Sequence, residues 1–300
     1  MNEPALHPQR GIALRLLSGL LFAGMAITVK LVSGAVPLGE IVFFRSVFAM
    51  IPLVIFLRLR GELPAGLRTS RPWGHMLRSG FGAAAMFTSF AAVARLPVAE
   101  ATLIGYLSPV LTAIFGVLLL GERATVFRAG GIALGLAGVA ALVGPQLGGG
   151  ALDLQHLVGL GLGVATAVLT SLALAMTRSL AKSGESPGAI AFYFALCSAL
   201  AGLATAVGGW TMPGGQALAL LVLAGLFGGF AHIALTLAFR YAEASRLAPF
   251  EYVALIWAVL ADMLIFGLPL APAFLVALPL LLGGAALAAL ERSPARQVRA

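Results

Sequence analysis

The chain has 300 residues, 60% of them hydrophobic and only 10% charged, with a mean hydropathy of +1.02 and a formal net charge of +8. Soluble domains carry roughly a quarter charged residues, so this composition excludes a water-soluble globular protein and requires a polytopic membrane protein. The apolar runs are helix-length, about 20 residues, which excludes a barrel of ~10-residue alternating strands; the single cysteine, Cys197, excludes a disulfide framework or a cysteine metal cluster.

Ten apolar segments are expected as helices, at approximately 11–32, 38–57, 72–94, 97–120, 125–144, 156–178, 187–208, 216–239, 246–267 and 270–290. The first continues past signal-peptide length without a clear small-residue cleavage site and reads as a retained helix, with Lys30 snorkelling at its outer end. Arg45 falls about seven residues into the second, roughly 10 Å deep at 1.5 Å per residue. It either snorkels outward, braces the fold, or binds a substrate carboxylate, because an intramembrane guanidinium must find an anion or carbonyls. The third carries Met86, Phe87 and Phe90.

The fourth segment starts near Glu100 and is interrupted by Tyr106-Leu107-Ser108-Pro109. Pro109 cannot donate to the helix ladder, so the carbonyl near Gly105 is freed and must be satisfied by protein or cavity water. Two readings follow, a kink lining a substrate cavity or a structural kink satisfied by a neighbouring helix. Glycines at 131, 135 and 138, then Gly159/Gly163 and Gly225/Gly229, are small-residue spacings that bring helices close. Tyr193 lies in the seventh segment, and His232 with Thr236 near the middle of the eighth. The ninth carries Glu251, Tyr252, a deep Trp257, and Asp262 near its outer end.

These residues divide into two groups. Arg45, Met86, Phe87, Phe90, Tyr106, Ser108, Pro109, Tyr193, His232, Thr236, Glu251, Tyr252 and Trp257 are candidates for a mostly apolar substrate cavity with few polar anchors. Glu100 and Asp262 are candidates for a gate or for ion coupling, either of them pairing with Arg45 in one state and releasing it in another. Neither a metal site nor a cofactor site is expected, and the motifs of zinc peptidases, nucleophile elbows and phosphate loops do not occur, so no enzyme activity is expected.

With the N-terminus in the cytoplasm and ten alternating spans, sixteen of the nineteen Lys and Arg fall on the cytoplasmic side and only Lys30, Arg45 and Arg95 on the other. Both termini are therefore expected in the cytoplasm, and the positive charge reads as topology rather than nucleic-acid binding. Five spans is odd, so a duplicated five-helix unit inserts upside down the second time. An offset of 146 residues aligns Phe81-Gly82 with Phe227-Gly228, Tyr106 with Tyr252, Gly121 with Gly267 and Gly138 with Gly284. At that offset Arg58, Arg60, Arg68 and Arg71 face Ala204, Ala206, Gly214 and Ala217, as inversion requires. The expected fold is all-α, ten transmembrane helices in two inverted halves, 1–146 and 147–300, around a central cavity.

The stretches "EIVFFRSVFA", "EATLIGYLSPVLTAIFGVLLLGERAT", "GGIALGLAGVAALV", "RLAPFEYVALIWAVLADMLIFGLP" and "LLLGGAALAAL" resemble the drug/metabolite transporter superfamily in its ten-helix EamA-type branch. Where many members keep Gly-Glu after the ninth helix, this chain has Gly267-Leu268. The resemblance implies alternating-access transport of small organic metabolites across a bacterial-type inner membrane, with the fifth and tenth helices at the edge. Within the branch the chain is similar to YddG-type amino acid exporters, pointing to aromatic or apolar amino acids, and less so to S-adenosylmethionine carriers. The expected partners are a small-molecule substrate and the lipid bilayer.

Overall fold

The computed structural model describes residues 8–120, 126–148, 153–241, 247, 250 and 253–290. Among the described residues the chain is all-helical: α1 (Pro8–Val32), α2 (Leu38–Leu59), α3 (Pro72–Arg95), α4 (Val98–Gly105), α5 (Leu107–Leu120), α6 (Val126–Gly148), α7 (Leu154–Lys182), α8 (Pro187–Ala204), α9 (Gly215–Tyr241), α10 (Val253–Leu264) and α11 (Pro272–Leu290), with short 3-10 turns at Ala65–Leu67 and Thr205–Gly208. Proline opens α3 and α8, where a missing N–H costs nothing, and Ser186 caps α8 by accepting from the Ala189 amide at 3.1 Å. Gly267, at φ +62°, supplies the left-handed residue after α10, letting the Leu268 amide reach the Asp262 carbonyl at 2.9 Å.

Among the described residues, six helices are long and apolar enough to cross a membrane: Gln9–Val32, Leu38–Leu59, Pro72–Arg95, Leu154–Thr177, Pro187–Gly208 and Gly215–Ala238. Shorter apolar helices at Val98–Thr112, Ala129–Leu142, Val253–Leu264 and Pro272–Leu287 fall where the fourth, fifth, ninth and tenth spans are expected. Leucines and isoleucines such as Leu20, Ile55, Leu203, Ile256 and Leu264 stand exposed around the bundle, an arrangement that water penalises and a bilayer accepts. The protein is a multi-pass membrane protein.

Helix α1 packs chiefly on α9, α3 on α7, α2 on α8 and α9, and α6 on α11. A side chain at Gly284 would stand 2.7 Å from the Gly135 amide nitrogen and 2.8 Å from the Gly131 carbonyl, so α6 and α11 meet backbone to backbone. One core gathers Leu96, Leu103, Ile104, Leu160, Leu255, Phe274 and Leu281 around α4 and α5. A second, with Val29, Ile41, Val42, Met86, Phe90 and Leu221, joins α1, α2, α3 and α9.

Candidate functional site

The bundle differs at its two ends. At the end where α3 turns into α4, the turn leaves the last carbonyls of α3 and the first amides of α4 without intrahelical partners, and Pro97 provides no side-chain cap. Two distant residues close this gap. Lys30 on α1 donates its ammonium to the carbonyls of Leu96 and of Val93, the latter at 3.3 Å, and lies 5.3 Å from the Phe266 ring. Asp262 on α10, 1% exposed, accepts from the Val98 amide at 2.9 Å and the Ala99 amide at 2.6 Å. Beside them His156 Nε2 stands 3.0 Å from a carboxylate oxygen of the buried Glu100. Only about 10 Å³ stays open among Pro97, Glu100, Asp262 and Phe274.

Away from this seal lies a cavity of about 220 Å³ between α2, α3, α7, α8 and α9. Its wall repeats at helical spacing: Arg45, Ala49 and Leu53 on α2; Pro187, Ile190, Ala191, Phe194 and Ala195 on α8; Gly229, His232 and Thr236 on α9. Arg78 and Thr177 complete it. An adjoining chamber of about 120 Å³ shares Leu53, Ala191, His232 and Thr236 and runs on to Arg60 and Glu62, an ion pair at 2.8 Å in the α2–α3 loop. The cavity thus opens toward the loop end and is closed toward the α3–α4 end.

Arg45 is 3% exposed, and its nearest acceptors are thioethers, Met25 Sδ at 3.4 Å from Nε and Met86 Sδ at 3.8 Å from Nη1. It fits because Gly228 has no side chain: a Cβ there would lie 2.7 Å from Nη2. Arg78 donates from Nε to Thr177 Oγ1 at 3.1 Å and spreads over the Phe194 ring at 4.5 Å, while its Nη1 is buried without a partner. The His232 ring meets Phe22 edge-on at 5.1 Å and Phe194 at 6.3 Å.

The mouth is framed by a separate polar cluster. Glu185, in the turn before α8, accepts from the Ser70 amide at 3.0 Å, from the Ser70 hydroxyl at 2.9 Å, and from His75 Nε2 at 3.0 Å. The hydrogen bond from His75, helped by those from Thr69 and Ser70 against the opposing effect of desolvation, holds its carboxyl down at about 2. Tyr193 donates to the Leu67 carbonyl at 2.9 Å and packs on the His75 ring at 4.9 Å, which places it in this cluster.

The structure brings together only part of the expected cavity set. Arg45, His232 and Thr236 line the cavity, and Met86 touches Arg45 from behind. Phe90 is buried in the neighbouring core with Phe87 against it. Tyr106 and Ser108 are buried beside the α4–α5 break, away from the cavity wall, and Pro109 is half-buried. There the Ser108 carbonyl accepts from the Ser171 hydroxyl of α7 at 2.9 Å and from Thr112 at 2.8 Å. Trp257 lines a groove of about 380 Å³ between α1, α9 and α10, with its Nε1 buried and unpartnered. Glu251 and Tyr252 lie outside the described residues. Asp262 and Glu100 are engaged at the seal, while Arg45 faces the cavity.

Arg78, Thr177 and the α8 stripe were not anticipated. Arg78 reads in sequence as one more basic residue near a cytoplasmic helix end. The signal that finds it is the 146-residue offset, which aligns Phe81-Gly82 with Phe227-Gly228: a Cβ at Gly82 would lie 2.8 Å from Arg78 Nη1 just as one at Gly228 would crowd Arg45.

Residues 9–144 match the family model described as EamA-like transporter family. The chain is 28% identical over 230 residues to an S-adenosylmethionine uptake transporter of Rickettsia prowazekii, covering 76% of this chain and 74% of that one. It is 38% identical over 115 residues to a pseudopaline exporter of Pseudomonas aeruginosa, 38% of this chain and 39% of the other. A solved crystal structure superposes on 93% of this chain and 96% of its own with a TM-score of 0.64 at 25% identity. The relatives are named as transporters rather than enzymes.

Proposed function

The first half of this multi-pass membrane protein matches the EamA-like transporter family, and on that premise we propose that the protein is a secondary transporter moving small organic metabolites by alternating access. The observation that carries the reading is the pair of ends: a cavity open to the loop end and closed at the other by Lys30, Asp262 and Glu100. A carrier needs such an inner chamber with one closed barrier at a time.

Helix packing supports the inverted architecture of ten spans. Exchanging the halves 1–146 and 147–300 turns α1–α9 into α7–α3 and α2–α9 into α8–α3, and returns α2–α8 and α6–α11 to themselves; these six are the main pairings of the bundle. With both termini in the cytoplasm, the open end faces the cytoplasm of a bacterial-type inner membrane. That geometry suits loading from inside, and the substrate class we assign is amino acids with aromatic or apolar side chains, exported from the cell. The wall provides Phe194, Ile190 and Leu53 for such a side chain. A second reading, uptake or exchange of another metabolite such as S-adenosylmethionine, is favoured by the name of the Rickettsia relative.

Counterflow in proteoliposomes containing only this protein tests both. Vesicles preloaded with one unlabelled solute from a panel of amino acids, S-adenosylmethionine, nucleosides and sugars should show saturable uptake of labelled amino acid when amino acid is inside. Exchange confined to another solute replaces the substrate, and non-saturable flux would indicate a channel.

A further inference from the structure

Among the described residues, two guanidiniums in the cavity have no anion against them. Burying a charge in a membrane protein is costly unless a counter-charge or hydrogen bonds compensate it. Among the described residues, the Arg45 nitrogens find two thioether sulfurs, and thioethers are weak acceptors. Arg78 has one hydroxyl, one aromatic face and a buried nitrogen without a partner. Among the described residues the nearby carboxylates are committed elsewhere: Asp262 and Glu100 at the seal, Glu62 to Arg60, Glu185 to Ser70 and His75. Glu40, in the first turn of α2, lies toward the sealed end and is absent from the cavity wall. The fold supports this arrangement instead of relieving it, since Gly228 and Gly82 leave the space that the two guanidiniums fill.

We infer that the transported solute presents a carboxylate to Arg45 and Arg78 while an apolar or planar body lies against Phe194, His232 and Ile190. Guanidinium forks match the two oxygens of a carboxylate, and the stack of Arg78 on Phe194 fixes its planar group at the cavity wall. The site recognises the anionic group rather than an amine, so an amino acid and a simple aromatic carboxylate share the chemistry. This inference rests on the carrier reading above and specifies what that carrier holds.

The test uses the purified full chain in nanodiscs and proteoliposomes with three probes: L-phenylalanine, 3-phenylpropanoate, which lacks the amine, and phenethylamine, which lacks the carboxylate. Both carboxylates should raise the unfolding temperature and compete in counterflow, and phenethylamine should do neither. R78Q should weaken 3-phenylpropanoate by at least ~10-fold, the loss of one charge-assisted contact, with R78K intermediate because it keeps the charge but not the fork. Size-exclusion and thermal profiles of R78K keep the comparison valid if R78Q does not fold. Binding of phenethylamine as tight as that of the carboxylates, or unchanged affinity in R78Q, overturns the inference. Exchange of some other solute with no response to either carboxylate also overturns it and leaves the carrier standing. Carboxylate binding without any flux keeps the site and removes the carrier reading, and silence of every solute in both assays removes both.

Discussion

The sealed end and the cavity handle buried charge in opposite ways. At the seal, Asp262 serves two amides of α4, Lys30 serves two carbonyls of α3, and the charges complete hydrogen bonds that the α3–α4 turn cannot make for itself. In the cavity wall, Arg45 and Arg78 meet, among the described residues, only groups too weak to neutralise them. On the proposed reading, the difference separates charge that stabilises the fold from charge that receives a solute. Stability and function are therefore expected to respond in opposite directions to removing each.

The largest expected effect is at the seal. D262A strips both amides of their acceptor and should lower stability by about 2–4 kcal/mol, read as thermal unfolding in detergent, with D262N losing less because one oxygen remains. Arg45 gives the mirror case. R45M should abolish saturable exchange yet leave stability unchanged or raise it by about 1 kcal/mol, because a desolvated, unpaired charge is gone. A fall in stability as steep as that of D262A would erase the distinction and make Arg45 a brace.

A smaller effect comes from Glu185. Its carboxyl is held at about 2 against an ordinary 4.5, so its contribution to stability is complete above the ordinary value and is lost as pH falls through the folded one. The unfolding temperature should decline between about pH 4.5 and 2, and E185Q should flatten that slope.

Much of this was legible beforehand. Hydropathy placed the helices, and Pro109 located the break that the structure puts at Tyr106 between α4 and α5. Depth alone marked Arg45 and His232, since polar groups at mid-membrane have few structural excuses. What could not be read was which face each helix turns inward. The α8 wall is Pro187, Ile190, Ala191, Phe194 and Ala195, and apolar residues of that kind line cavities and lipid contacts alike. Tyr193, one residue from Phe194, belongs to the loop cluster for the same reason. Arg78 was obscured by its position, since a basic residue near a helix end ordinarily snorkels to water. At the break, Ser171 of α7 donates to the Ser108 carbonyl, so a neighbouring helix meets part of that turn's backbone.

The unneutralised guanidiniums also bear on leak. Fixed positive charge on a narrow route raises the barrier for protons and metal cations, as cationic constrictions do in water channels. Vesicles carrying the empty protein should hold a pH gradient as long as protein-free vesicles, and faster decay would contradict this. For the carrier proposed above, many copies could then stand open on one side without short-circuiting the ion gradients across the membrane.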